Sequence, residues 1–227
     1  MLFSPEPKVN EEDLFDFRVE LNQLINAIRA SRLTIITGIR RSGKTSLMNV
    51  ALRKAGLPYI YLDVRLSAYP NYADLASVWA NALEDFLKRE AGLRERIANA
   101  LRGVAGLVIG LSPVKVEVRF RGPEKLSISE LLIRINELAE EIGGKVVIAI
   151  DEAQELRRVN WLRFDRLMAY AYDNLRYVNF VLTGSQVGLL YGFLGLHDPR
   201  APLFGRSYIE VKTRRLSPDE AYEFLNK

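Results

Sequence analysis

The segment Gly38-Ile39-Arg40-Arg41-Ser42-Gly43-Lys44-Thr45 ends in a glycine, a lysine and a hydroxyl, with a second glycine at its start. Such a loop can fold around an anion with its N–H groups pointing inward, because glycine tolerates backbone conformations that other residues resist. Between a strand and a helix it would also aim the positive helix end at the same phosphate. Lys44 would then reach the β- and γ-phosphates and the Thr45 hydroxyl would bind Mg2+, with Ser46 next in the first helical turn. A second constellation follows the apolar run Val146-Val147-Ile148-Ala149-Ile150, which ends in Asp151-Glu152-Ala153-Gln154. Asp151 could supply the outer carboxylate that Mg2+ needs. Glu152 could orient and deprotonate an attacking water, a task for a carboxylate near the metal but not on it. An Asp-Glu pair after a strand can also be an ordinary helix cap, and its coupling to the glycine loop is what favours the nucleotide chemistry.

Further polar residues point to the same kind of site. Thr183-Gly184-Ser185-Gln186 follows another apolar run, so Thr183 or Ser185 could sense a terminal phosphate, or the segment could simply cap the next helix. Arg206 could supply positive charge to the transition state of a neighbouring subunit, or be an exposed structural arginine. Asp63 and Arg65 follow a third apolar run and face the same edge, where an indirect catalytic role is open to them. His197 lies in a loop and reads as a surface residue, while Trp79 and Trp161 sit at helical spacing and read as packing groups.

These residues need a scaffold that gathers them, and the hydrophobic pattern predicts one. Apolar runs of strand length at 33–37, 59–62, 146–150, 178–182 and 208–211 alternate with amphipathic stretches at 13–31, 45–54, 72–101, 129–141 and 161–174. That alternation is the signature of a parallel sheet buried on both faces by helices. One stretch departs from it. Val114, Val116, Val118 and Phe120 alternate with Lys115, Glu117, Arg119 and Arg121 after the small apolar run 103–111, which predicts a β-hairpin inserted between core elements. It reads first as a solvated edge hairpin, and alternatively as a partner-binding face.

The chain has 227 residues, 48% of them apolar, enough for one well-filled α/β domain. It contains no cysteine and one histidine, so disulfides and thiolate metal sites are excluded and chemistry falls to carboxylates, hydroxyls, Lys and Arg. The net charge of +4 suits phosphate-bearing ligands without singling out DNA or RNA. No run approaches the ~18 to 20 apolar residues of a membrane span, and residues 1–13 are polar and acidic rather than signal-like, so a cytoplasmic protein without a membrane partner is expected.

Phe17-Arg18-Val19-Glu20-Leu21, the glycine loop with its paired Arg40-Arg41, Asp151-Glu152-Ala153-Gln154, Thr183-Gly184-Ser185 and Leu203-Phe204-Gly205-Arg206 occur in this order. Together they resemble the archaeal ATPase family, a branch of the AAA+-like and STAND P-loop NTPases with an added catalytic glutamate. The resemblance covers nearly the whole chain, with Ile39 standing where the family usually has proline. It implies a three-layer α/β P-loop fold: a mainly parallel five-stranded sheet, helices on both faces and a β-hairpin insertion over about 103–128. It also implies that the strand before Thr183 separates the glycine-loop strand from the Asp151 strand. ATP or ADP and Mg2+ are the implied ligands, with Phe17 and Arg18 as base or ribose neighbours.

The ATPase domain is expected to span 1–214. Leu216-Ser217-Pro218-Asp219-Glu220 then opens a capped helix, and relatives continue into a helical lid and often a winged helix. Residues 215–227 are thus expected to begin a truncated lid, and hydrolysis without the rest to be slow. The preferred function is a regulatory ATPase switch whose nucleotide state controls homo-oligomer assembly or binding of a protein partner. The alternatives are a DNA-associated ATPase resembling origin-recognition initiators, binding through a missing C-terminal domain, and a small-molecule kinase. The Asp151-Glu152 pair argues for water as the phosphoryl acceptor.

Overall fold

A computed structural model describes residues 6–66, 71–112, 115–120 and 126–226. After a short 3-10 turn at Glu11–Asp13 the chain forms α1 (Arg18–Ala30), β1 (Leu33–Thr37), α2 (Lys44–Ala55) and β2 (Tyr59–Asp63). There follow α3 (Tyr72–Arg89), α4 (Arg94–Leu101), the strands β3 (Leu107–Leu111) and β4 (Val116–Phe120), and α5 (Ile128–Glu141). The last part comprises β5 (Val146–Asp151), α6 (Phe164–Asn174), β6 (Val178–Gly184), α7 (Val187–Leu194), β7 (Ile209–Lys212) and α8 (Pro218–Leu225).

The main sheet has the order β2-β5-β6-β1-β7, and every pairing in it is parallel. β6 therefore separates the glycine-loop strand β1 from the Asp151 strand β5, as the family resemblance implies. Residues of β1, β5 and β6 are buried throughout, whereas β2 and β7 form the two edges and are only partly covered. Successive side chains of a strand point to opposite faces, and the two cores follow that alternation. Ile36, Val147, Ala149 and Val181 pack with Leu24 and Ile28 of α1 and Leu47 and Met48 of α2. Ile35, Ile148, Ile150, Phe180 and Leu182 pack on the other side with α3 through α7, around Trp79 and Phe86. The result is three layers.

Four stretches differ from the expectations. Residues 72–101 form two helices, because α3 stops at Glu90 and a 3-10 turn at Ala91–Leu93, containing Gly92, redirects the chain. α4 can then lie along α5, with Ile97, Ala98 and Leu101 buried and Arg96 paired to Glu141 at 2.9 Å. The first helix begins at Arg18 instead of residue 13, since Asp16 at φ 51° turns the chain. Trp161 lies in the turn before α6, 45% exposed, with its ring 5.6 Å from Tyr72; Trp79 is buried as expected. α7 is absent from the expected helices because Gly188 and Gly192 weaken its local signal.

β3 and β4 form the expected antiparallel hairpin, separate from the main sheet. Leu107, Val116 and Val118 are buried against the main core and Arg119 is exposed, so the hairpin lies as a half-buried flap on α3. Val114 and Arg121, also used in its sequence pattern, lie outside the described residues. Among the described residues no helix is long and apolar enough to cross a membrane.

Candidate functional site

In a parallel sheet all carboxyl ends lie along one edge, where open α/β folds gather their ligands. Here that edge carries Thr37, Asp63, Asp151, Gly184 and Lys212, the last residues of the five strands. The loop from Gly38 to Gly43 leaves β1 at this edge and enters α2 through Gly43, at φ 79°, with no side chain capping the helix start. The first N–H groups of α2 are therefore free to face an anion. Lys44 is 5% exposed and its ammonium donates to the carbonyls of Gly38 at 3.1 Å and Ile39 at 2.7 Å, closing the loop upon itself.

The loop is braced by a residue that the sequence reading does not single out. Thr213, directly after β7, donates its hydroxyl to Thr37 O at 3.1 Å and shares a hydrogen bond with Ser42 Oγ at 2.6 Å. The brace requires glycine at position 38, whose φ is 149° and where a Cβ would fall 2.0 Å from Thr213 Oγ1. Ile39, Arg40 and Arg41 are exposed at the loop's crest and, with Ser42 through Ser46, line a cleft of about 1040 Å³. Ser46 Oγ accepts from the Lys8 backbone N–H at 3.0 Å, holding the N-terminal segment beside α2.

Phe17 joins this cleft, its ring 3.5 Å from the position of a Cβ on Gly43, whereas Arg18 is exposed and lines a neighbouring recess. Another part of the lining comes from Arg214, Arg215 and Leu216 ahead of α8 and from Phe224 in its last turn, so the cleft lies between the segment before α1 and the segment carrying α8. Arg214 ties those two together through Asp16 at 3.0 Å, Glu20 at 3.3 Å and Glu220 at 2.5 Å, and Phe15 packs on Phe224 with ring centres 5.2 Å apart.

At the floor, hydroxyls and carboxylates form one connected network. Thr45 donates to Asp151 Oδ2 at 2.9 Å, Tyr61 donates to the same oxygen at 3.2 Å, and Thr183 donates to Oδ1. Thr183 Oγ1 also accepts the Glu152 backbone N–H at 2.9 Å. Glu152 adopts a left-handed conformation at φ 54°, and its Oε2 accepts from Gln154 Nε2 at 2.6 Å and from the Ser185 hydroxyl and N–H at 2.8 and 3.1 Å. Gly184 makes room for that arrangement, since a Cβ there would meet Gln154 Oε1 at 2.8 Å. Thr183 and Ser185 thus have different partners: the first is fully buried between the two acids, the second holds the Glu152 carboxylate.

The electrostatics follow from burial and these bonds. Burial raises the Glu152 carboxyl, but the hydrogen bonds from Gln154 and Ser185 and the Lys44 charge outweigh it and leave it below the usual glutamate value. Burial lowers the Lys44 ammonium, against the opposing pull of Glu152 and Asp151. The Tyr61 phenol is raised by burial and by Asp151 and stays a proton donor. The Thr45 hydroxyl and buried Asp151 are hard oxygen donors 2.9 Å apart, which suits Mg2+ held by few protein ligands plus phosphate oxygens. Among the described residues no group of three or more His, Asp or Glu side chains is placed to hold a metal ion.

Arg206 is not brought to this edge. It precedes β7, at the opposite end of the parallel sheet, and forks Asp173 at the end of α6 with contacts of 2.9 and 2.5 Å. His197 is exposed and packs edge-on against Tyr191.

Comparison with known proteins gives the family and the fold. The AAA domain family matches residues 28–190, from the end of α1 into α7. The chain is similar to the Walker-type ATPase of Pyrococcus abyssi, at 33% identity and a TM-score of 0.77. That match covers 100% of this chain and 61% of the Pyrococcus chain, so the sequence spans about three fifths of that relative. It is also similar in fold to Cdc6p from Pyrobaculum aerophilum, at 17% identity and a TM-score of 0.56, over 99% of this chain and 52% of that one. No curated protein sequence matches it.

Proposed function

Since this chain belongs to the AAA domain family, we propose that it binds Mg-ATP and hydrolyses it slowly to ADP and phosphate, its nucleotide state governing assembly or partner binding. The observation that carries this is the hydrogen-bonded path Thr45–Asp151–Thr183–Glu152 lying beside the lysine-closed loop. It joins the features that phosphoryl transfer to water requires: a phosphate cradle, hard oxygen ligands and a carboxylate base.

The loop N–H groups and Lys44 hold the β- and γ-phosphates, and Arg40 and Arg41 at the crest add positive charge. Thr45 and Asp151 would hold Mg2+, which would neutralise charge developing on the phosphate oxygens. Glu152 Oε1, without a hydrogen-bond partner among the described residues, takes a proton from the water that attacks the γ-phosphorus. The bond between the γ-phosphorus and the β–γ bridging oxygen breaks, and ADP leaves with that oxygen. Ser185 holds the other Glu152 oxygen, so it registers the reaction through the base, while Thr183 fixes the spacing of the two acids. Phe17 covers the loop where the nucleoside enters, and Arg18 borders the adjoining recess. Arg206 can act only on a neighbouring subunit's nucleotide, given its place at the far edge.

Calorimetric titration of Mg-ATP, with ADP release followed in parallel, tests this. Lys44→Ala is expected to abolish binding, and Glu152→Gln to keep binding and lose turnover by about 10²-fold or more. A folded chain that binds no nucleotide, or turns over undiminished without Glu152, would overturn the assignment.

A further inference from the structure

Arg65 lies in the 3-10 turn Val64–Leu66 that follows β2, on the wall of the nucleotide cleft. Asp63 grips its guanidinium at both ends, with Nε 2.8 Å from Oδ1 and an Nη 2.6 Å from Oδ2, and Asp63 Oδ1 also accepts the Arg65 backbone N–H at 3.1 Å. The same Nη donates to Asp151 Oδ2 at 3.2 Å. This reach is possible because Asp63 and Asp151 are direct register partners on neighbouring parallel strands. Asp151 has a side chain only 1% exposed, and a buried carboxylate needs a countercharge. Its other partners, Thr45, Tyr61 and Thr183, are neutral hydroxyls, and the Lys44 ammonium is bonded to Gly38 and Ile39 carbonyls. Among the described residues, Arg65 is the one cation paired with Asp151.

We infer that Arg65 is a built-in counterion that competes with Mg2+ for Asp151 Oδ2. The inference rests on Asp151 being the metal's carboxylate. Without metal, Arg65 neutralises the buried acid and keeps the floor of the site assembled. Occupation of Oδ2 by a divalent cation requires the 3.2 Å contact to open, and the Asp63 fork retains the guanidinium at the cleft wall when it does. Apparent metal affinity is then reduced by the fraction of molecules in which Oδ2 is free; a contact made about 70–90% of the time weakens it about 3- to 10-fold. The site would thereby couple two states, one closed by arginine and one by metal and nucleotide. Arg65 acts here as a positioning residue.

The test is titration of Mn2+ into the chain at saturating ADP, read from the paramagnetic resonance signal of the free ion, for the unaltered protein, Arg65→Gln and Arg65→Lys. Both variants are expected to bind Mn2+ about 3- to 10-fold more tightly. Arg65→Lys keeps the charge but loses the planar fork that spans the two acids, so a parallel gain in it reports loss of the contact rather than of the field. Unchanged or weaker Mn2+ binding in both variants, or a gain confined to Arg65→Gln, would overturn the competition. If the unaltered chain binds Mn2+ and Asp151→Asn does not, such a result sinks the role of Arg65 alone. Mn2+ binding that survives Asp151→Asn, or is absent from the unaltered chain, sinks the metal assignment of Asp151 along with it.

Discussion

Three donors converge on a single oxygen of Glu152, from Gln154 and from both the side chain and backbone of Ser185. They hold the carboxyl below the ordinary value of 4.5 despite its burial, so a base at this position is ionised throughout the neutral range. Turnover is therefore expected to show no Glu152-linked loss between about pH 8 and 5, with its acid limb below the ordinary glutamate value. Ser185→Ala removes one donor, lets the carboxyl rise and should shift that limb to higher pH, as a pH–rate profile would show. Stability carries the matching sign. A depressed carboxyl contributes stability that is full above the unfolded value and lost as pH falls through the folded one. Thermal melts of Glu152→Gln should thus converge on those of the unaltered chain as pH drops below about 4.5. The buried hydroxyl of Thr213 gives a further residue-scale expectation. Thr213→Val keeps the volume but removes the bonds to Thr37 and Ser42, worth about 1–3 kcal/mol. Part of that loss should appear as weaker ADP binding in calorimetry, and Thr213→Ser should restore it.

At the scale of elements, the parallel sheet brings residues far apart in sequence to a common edge, and the helices hold the strands in register. α3 is the principal support of the second core, through Trp79 at 2% exposure and Phe86 at 1%. Trp79→Ala should cost about 3–5 kcal/mol of unfolding free energy, measured by denaturant titration, without touching the cleft. The hairpin illustrates a partial success of sequence reasoning. Alternation in Val116, Val118 and Phe120 predicts strands correctly, but whether the apolar side faces solvent, a partner or the chain itself depends on where the hairpin folds back. It folds back onto α3, burying Val116 and Val118. The split of 72–101 into α3 and α4 was illegible for a similar reason. Helical periodicity runs through Gly92, and only the packing of Ile97 and Leu101 beside α5 demands a turn there.

For the molecule as a whole, the cleft is bounded by the segment before α1 and by the segment carrying α8, with Arg214 and the Phe15–Phe224 pair joining them. A nucleotide seated there would contact both ends of the chain at once. Hydrogen exchange is therefore expected to slow in residues 14–20 and 214–225 together when Mg-ADP binds; slowing confined to the glycine loop would place the nucleotide away from these walls. The DNA-associated alternative makes a separate demand: duplex binding that falls steeply with salt, which a nucleotide-driven switch acting on proteins does not require of this chain. What the sequence by itself determined was local chemistry: the glycine loop, the Asp151-Glu152 pair after its strand, and the alternation of elements that makes an α/β sheet. Those signals lie within a few adjacent residues, because loop conformation and strand burial are set by immediate neighbours. Only the tertiary structure decided that Thr213 braces a loop 171 residues earlier through Ser42, that Arg65 pairs with Asp151 across 86 residues, and that Arg206 lies at the far edge. The physical reason is strand order, since side chains distant along the chain meet only where the sheet sets their strands side by side.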